Sequence, residues 1–128
     1  MEYLRNLLLV AIGGALGAAS RYTLFIIFQL MQIQGFWSTM LVNIVGSFLM
    51  GVTMAWLPEL GERIKLLIAT GFLGAFTTFS TFSADISAMI EAKSWIIFAI
   101  YMCVSVIGGV LAFLSGYALM LSSGVTSK

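Results

Sequence analysis

Four long apolar stretches, separated by short polar turns, constrain this chain more than any other feature of its sequence. A helix needs roughly 20 mostly apolar residues to cross the hydrocarbon core of a bilayer, and the stretches at 7–31, 36–57, 66–84 and 94–122 are of that order or longer. Only 9% of the 128 residues are charged, against about 25% in a typical soluble domain. The sequence therefore predicts an all-α membrane protein with four transmembrane helices.

The expected helices occupy almost the whole sequence. We place them at about 4–32, 36–57, 62–91 and 94–122, so that 1–128 forms a single four-helix transmembrane domain. Both ends of the sequence would then lie on one side of the bilayer. That side would carry Arg5, Arg63, Lys65 and Lys128, and the other would carry Lys93. The positive-inside rule favours a cytoplasmic location for the side with more basic residues.

Several function classes are excluded by what the sequence lacks. It contains no histidine and one cysteine, Cys103, so the commonest general base and a cysteine-based metal site are both missing. No nucleophile–base pair is evident, and we expect no enzymatic activity. The net charge is +1, and without a basic patch we expect no nucleic-acid partner.

Polar residues inside the spans carry the most information, because a polar group in lipid must face protein or water. In the second stretch, polar and small residues recur every four positions on one helix face: Thr39, Asn43, Ser47 and Gly51. Helix packing explains small and hydroxyl residues well, and we favour it for Thr39, Ser47 and Gly51. A carboxamide in mid-membrane is more costly, so for Asn43 we favour a functional role.

The third stretch is the least regular. Hydroxyl residues occupy five of the seven positions from Thr77 to Ser83, shortly after Gly74. Glycine and β-branched residues form helices poorly, which favours a break near 74–78. A continuous helix whose hydroxyls bond its own backbone is an equal alternative. Phe79 and Phe82, spaced by three, would face lipid or the core, or would present their positive ring edges to an anion.

Two further polar features remain open at this level. Arg21 is a fixed charge inside the first stretch; it would either have a structural role, for example by extending to the interface, or attract anions into a vestibule. Tyr101 and Ser105 lie at i and i+4 in the fourth stretch. They would serve packing or form part of a polar track.

Three motifs in order resemble those of the small fluoride channels of the CrcB or Fluc family. The motifs are GGALGAASRY at 13–22, TMLVNIVGSF at 39–48 and GFLGAFTTFSTF at 71–82. The number of spans and the short turns agree as well, so the resemblance covers nearly the whole chain. The third motif is the most specific of the three.

The resemblance implies an antiparallel, dual-topology homodimer with two pores, each built from both subunits. It implies a structural sodium ion at the dimer interface, held by the backbone carbonyls of Gly74 and Thr77 from each subunit. Fluoride would pass the pore residues Asn43, Phe79, Ser80, Thr81 and Phe82 and a polar track of Tyr101 and Ser105. Arg21 and Thr39 would be vestibule or structural residues. Gly109 stands where some relatives carry a further serine.

The function implied is passive export of fluoride across a bacterial inner (plasma) membrane by a multi-pass channel, which protects the cytoplasm. The main alternative is a small four-helix, dual-topology drug or cation exporter. Such an exporter needs an ionisable residue within the membrane, and Asp85 lies toward the end of the third stretch. A non-transporting scaffold subunit is a second alternative.

Overall fold

The computed structural model describes residues 1–56 and 61–124, and within them it confirms an all-helical chain with four helices long enough to span a membrane. These are α1 (Glu2–Leu30), α2 (Gly35–Trp56), α3 (Glu62–Glu91) and α4 (Trp95–Ser122). No strand occurs in the described part of the chain. The expected last residue of the second helix, Leu57, lies outside the described residues, as does Lys128.

Large apolar side chains cover the outer surface of the helices. Leu7 on α1 is 65% exposed and Ile96 on α4 is 77% exposed. Water would penalise so much apolar surface, whereas lipid tails would not. The exposure therefore agrees with a bilayer around the chain.

Helix α1 packs closely against the first half of α3. A Cβ atom added at Gly13 would collide with the Leu67 carbonyl oxygen, and one added at Gly17 would collide with that of Phe72. The backbones touch because these positions have no side chain. Residues Leu66–Leu73 of α3 adopt a π-helix along this contact, which the sequence pattern did not predict. Such π segments are rare and often lie near functional sites.

Helix α2 packs against α4 in the same way. A Cβ at Gly51 would collide with the Phe113 carbonyl oxygen, and one at Gly116 with the Phe48 carbonyl oxygen. The chain thus forms two closely packed helix pairs, and α2 also contacts α3 between them. This arrangement brings the polar face of α2 against the middle of α3.

Helix α3 is interrupted at Thr77 and Thr78. The segment Gly74–Phe76 is still α-helical, whereas Thr77 (φ −78°, ψ 158°) and Thr78 (φ −150°, ψ 116°) are extended. Phe79–Glu91 then forms the second half of the helix. The structure adopts a broken helix, and not the alternative of a continuous one. The break lies at the C-terminal end of the expected window, and Gly74 itself remains helical.

Candidate functional site

The interruption in α3 is held by a side chain of α2. Asn43 Oδ1 accepts a hydrogen bond from the Thr78 amide over 2.7 Å, and Asn43 Nδ2 donates to the Thr78 carbonyl over 2.9 Å. The two residues are 35 positions apart in the sequence. In a bilayer, backbone groups released from a helix must find partners within the protein. Asn43 provides both partners for one extended residue.

The Thr78 hydroxyl begins the second half of α3. Its Oγ1 accepts from the Thr81 amide over 3.1 Å, donates to Thr81 Oγ1 over 3.0 Å and lies 3.2 Å from Ser80 Oγ. This is an N-cap interaction, which satisfies an amide that has no partner within the helix. Thr78 was not among the predicted site residues. A hydroxyl residue immediately before a helical segment is the sequence signal that could have identified it.

A cavity of about 390 Å³, which we call the break groove, lies beside the interruption. Four of the predicted pore residues line it together, namely Asn43, Phe79, Phe82 and Ser105, and so does the predicted sodium ligand Thr77. Thr77 and Thr78 form the wall at the interruption itself, and among the described residues that line the groove none carries a formal charge.

Ser105 provides an unused polar group in the break groove. Its Oγ atom is buried, and within the described part of the chain it has no hydrogen-bond partner. A buried hydroxyl without a partner is uncommon, because it forfeits the hydrogen bonds that it made in water. The Ser105 hydroxyl is therefore free to donate to a ligand in the groove.

The two phenylalanines of the groove differ in their surroundings. Phe79 is 79% exposed, whereas Phe82 is 6% exposed and packs in a cluster with Met89 and Tyr101. Their ring centroids lie 5.7 Å apart with the planes inclined by 40°. Phe82 is thus fixed by the single chain, while Phe79 projects from it.

Tyr101 lies next to the groove and does not line it. Its ring centroid is 5.3 Å from that of Phe82, and its hydroxyl donates to Asp85 Oδ2 over 2.9 Å. Tyr101 instead borders a separate apolar cavity of about 250 Å³ with Phe36 and Trp37. The sequence analysis did not pair Tyr101 with Asp85. The signal was available, since an acid inside a span requires a partner.

A second polar cavity, which we call the arginine cavity, occupies about 290 Å³ between α1, α2 and α3. It collects the predicted vestibule residues Arg21 and Thr39 together with Thr81. Among the described residues, no carboxylate forms an ion pair with Arg21. Thr78 borders both the arginine cavity and the break groove, so the two cavities share this residue as part of their walls. Ser80 is exposed beside that residue and lines neither cavity.

The carbonyls of Gly74 and Thr77 have lost the amides that would bind them in a continuous helix. Those donors are the amides of Thr78 and Thr81, which bond to Asn43 Oδ1 and Thr78 Oγ1 instead. Freed backbone carbonyls at a helix break suit a sodium ion. No cluster of three or more acidic, histidine or cysteine side chains that could hold a metal occurs in the described residues. A cation here would depend on the backbone.

Comparison with known proteins agrees with this geometry. The sequence model of the family described as "CrcB-like protein, Camphor Resistance (CrcB)" matches residues 8–117. The chain belongs to the CrcB family. The match to the CrcB family covers α2 and α3 completely, and with them the helix break, the break groove and the arginine cavity.

Similar proteins carry the name "Fluoride-specific ion channel FluC". One, from Leptospira interrogans serogroup Icterohaemorrhagiae serovar copenhageni, is 41% identical over 116 residues, covering 86% of this chain and 90% of the relative. Another, from Mesorhizobium japonicum, is 41% identical over 114 residues, covering 87% and 92%. A third, from Shewanella woodyi, is 44% identical over 96 residues, covering 73% and 77%. The resemblance seen in the three sequence motifs is thereby confirmed at the level of the family.

Proposed function

We propose that this chain is the subunit of a fluoride-selective ion channel, which exports fluoride passively and protects the cytoplasm. The names of the relatives support fluoride as the transported ion. The observation that carries the proposal is the break groove, where neutral donors lie beside two phenylalanine rings at an interrupted helix.

The chemistry of the groove suits a small, strongly hydrated anion. A pore must replace the water of such an ion with good donors, yet bind it weakly enough to release it. The Ser105 hydroxyl has no other partner among the described residues, and the second N–H of the Asn43 amide remains free after the bond to Thr78. Donors without formal charge would bind fluoride without trapping it.

Phe79 and Phe82 would line the narrow part of the path. The edge of an aromatic ring carries partial positive charge, and the two inclined rings border the same groove as the donors. Ser80, Thr81 and Tyr101 would extend the polar path beyond the rings. Arg21 and Thr39 would form a vestibule. Its guanidinium, which has no ion pair among the described residues, would raise the local concentration of anions.

We further propose that two copies assemble antiparallel, as a dual-topology homodimer with two pores. In one chain the groove is open, and Phe79 and Ser80 are exposed at membrane depth. Irregular backbone at that depth is tolerated only when protein or water covers it. The interruption lies close to midway along α3. An inverted copy would therefore place its own interruption at the same depth.

The dimer would hold a structural sodium ion where the two interruptions meet. The carbonyls of Gly74 and Thr77 from both copies would be its ligands, since their helical donors are engaged elsewhere. When bound, sodium would supply a fixed positive charge near the pores. We place this dimer in the bacterial inner (plasma) membrane as a multi-pass protein. There the membrane potential would drive an anion outward with ~2.3 kcal/mol per charge per 100 mV.

The experiment is anion efflux from liposomes that contain the purified protein, driven by a potassium gradient with valinomycin and followed with fluoride and chloride electrodes. We expect rapid fluoride efflux with little chloride. Protein-free liposomes give the background leak. A folded protein that releases no fluoride above that leak would overturn the proposal.

The dimer and the sodium ion need their own measurements. Labelling of single-cysteine variants from each side of the membrane would report whether both orientations are present. Cross-linking of the same variants would report whether two copies associate. Equal conduction and equal stability of the purified protein after exhaustive sodium removal would contradict the structural sodium ion.

A further inference from the structure

The Asn43 carboxamide belongs to α2, yet both of its hydrogen bonds reach α3. It accepts from the Thr78 amide over 2.7 Å and donates to the Thr78 carbonyl over 2.9 Å. Because the two bonds use both ends of one planar group, the side chain cannot rotate without breaking both. One N–H of the amide is left for any ligand in the groove. Half of the hydrogen-bonding capacity of Asn43, one N–H and one lone pair of Oδ1, therefore serves the backbone of the interruption.

Asn43 accepts a hydrogen bond from the Thr78 amide, which would otherwise continue the helix. The Thr77 amide still follows the helical pattern and donates to the Leu73 carbonyl over 3.1 Å. The next amide, that of Thr78, would donate to the Gly74 carbonyl in an unbroken α-helix. It donates to Asn43 instead. The regular series of helical bonds thus stops at the bond that Asn43 replaces.

The fit between α2 and the interruption supports this reading. One turn after Asn43, a Cβ atom at Gly46 would collide with the Thr77 side chain and lie 3.3 Å from the Phe76 ring. The absence of a side chain at Gly46 lets α2 approach closely enough for Asn43 to reach the backbone. Thr78 itself is buried at 7% exposure, so water cannot easily replace Asn43 as its partner.

We propose that Asn43 is a positioning residue for the central cation: by holding the Thr78 amide, it keeps the Gly74 carbonyl free to bind sodium. Without Asn43, the amide would return to that carbonyl and α3 would extend across the site. The inference rests on the sodium ion of the proposed function. It gives Asn43 a role beyond lining the groove, because it links the wall of the anion path to the cation site.

The test measures how sodium stabilises the purified full-length protein in detergent. A ligand that binds only the folded state raises Tm with its concentration, so Tm is recorded against sodium chloride at constant ionic strength, with N-methyl-D-glucamine as the replacement cation. Asn43→Ala is expected to need about tenfold more sodium, or more, for the same rise in Tm, given the loss of two hydrogen bonds. Ser47→Ala, one turn along the same face, should keep the wild-type sodium dependence.

A second variant covers the case in which Asn43→Ala does not fold. Asn43→Gln keeps a carboxamide in the groove but is one methylene too long to pair in the same way with Thr78. A positioning role predicts weaker sodium stabilisation for Gln as well, whereas a role as an anion donor alone predicts no change. Wild-type sodium dependence in the Ala or the Gln variant would overturn the proposal.

Fluoride efflux of the wild-type protein is measured in parallel, so that the two proposals fail separately. Efflux without any effect of sodium on Tm would overturn the role of Asn43 and leave the channel intact. Absence of efflux would overturn the channel, while the Tm series would still decide whether Asn43 positions a cation site.

Discussion

The Tyr101 hydroxyl of α4 donates a hydrogen bond to the Asp85 carboxylate of α3 over 2.9 Å, and both residues lie within membrane-spanning helices. The pair ties the second half of α3 to α4 beside the break groove. Tyr101 is 3% exposed, so its side chain is packed within the protein.

Removal of that hydroxyl should destabilise the protein. Tyr101→Phe would leave the carboxylate without its donor, at a cost of about 1–3 kcal/mol, and a lower Tm in detergent would report it. Tyr117→Phe on the same helix is a matched control, since Tyr117 is 38% exposed. An equal loss of stability in both variants would contradict the importance of the Asp85 bond.

The Asp85→Asn variant distinguishes between the channel and the exporter as functions of this protein. Asparagine still accepts the Tyr101 hydrogen bond but cannot exchange a proton, which an antiporter requires of its intramembrane acid. We expect fluoride efflux to persist in liposomes and folding to be preserved. If a well-folded Asp85→Asn protein lost all transport, the exporter would become the better interpretation.

Substitution of the two phenylalanines should have different effects on the stability of the chain. Phe82 is buried at 6% exposure and Phe79 is 79% exposed in the single chain. Replacement of Phe82 by Ile changes the shape of a packed site and should cost about 1–3 kcal/mol, whereas Phe79→Ile should alter the stability of the isolated chain little.

Both Phe→Ile variants should nevertheless reduce fluoride efflux strongly, because each removes a ring edge from the groove. Leu119→Ile, at a lipid-facing position with 59% exposure, is the control. Normal efflux in both phenylalanine variants would place the anion path elsewhere.

Ser105→Ala should slow conduction without loss of stability. The Ser105 hydroxyl is buried and has no partner among the described residues, so its removal breaks no hydrogen bond within that part of the chain. A hydrogen bond to an ion contributes about 1.5–3 kcal/mol, and its loss should slow fluoride efflux by about tenfold or more. Ser115→Ala, which removes a hydroxyl bonded to the Leu111 carbonyl of its own helix, should conduct as the wild type does. Unchanged efflux in Ser105→Ala would remove that residue from the path.

Neighbouring glycines of α1 should respond differently to alanine. A Cβ at Gly13 would collide with the Leu67 carbonyl oxygen and lie 2.9 Å from the Phe72 amide nitrogen, whereas a Cβ at Gly14 would meet its nearest atoms only at 3.9 Å. Gly13→Ala should therefore cost about 1–3 kcal/mol or more through overpacking, with less folded protein in size-exclusion chromatography. Gly14→Ala should be tolerated, and similar behaviour of the two variants would contradict the close helix contact.

The spans could be predicted from the sequence because lipid imposes length and apolarity on every segment that crosses it. The position of the helix break could be predicted only approximately. Gly74 and the threonines weaken the helix locally, but the Thr78 amide, which would continue the helix, bonds to Asn43, 35 positions away on another helix. Local helix propensity contains no information about that contact.

Part of the site could also be predicted, because lipid constrains where polar residues lie. Asn43 and Ser105 line one groove, because polar residues inside a span must face protein or water. Phe79 and Phe82 line the same groove, which their spacing alone does not explain. The pairing of Tyr101 with Asp85 and the π-helix at Leu66–Leu73 depend on how three helices meet. Spacing along a single helix does not encode such contacts.

The two extended residues of α3 have a final consequence for charge. They convert one long helix into two whose opposite ends meet inside the bilayer: the carbonyl end of the first half, which carries partial negative charge, and the amide end of the second half at Phe79, which carries partial positive charge. Each end is worth roughly half an elementary charge. These helix dipoles come from peptide groups and do not titrate. The interruption therefore presents both polarities to ions at any physiological pH, without the cost of burying an ionised side chain in lipid.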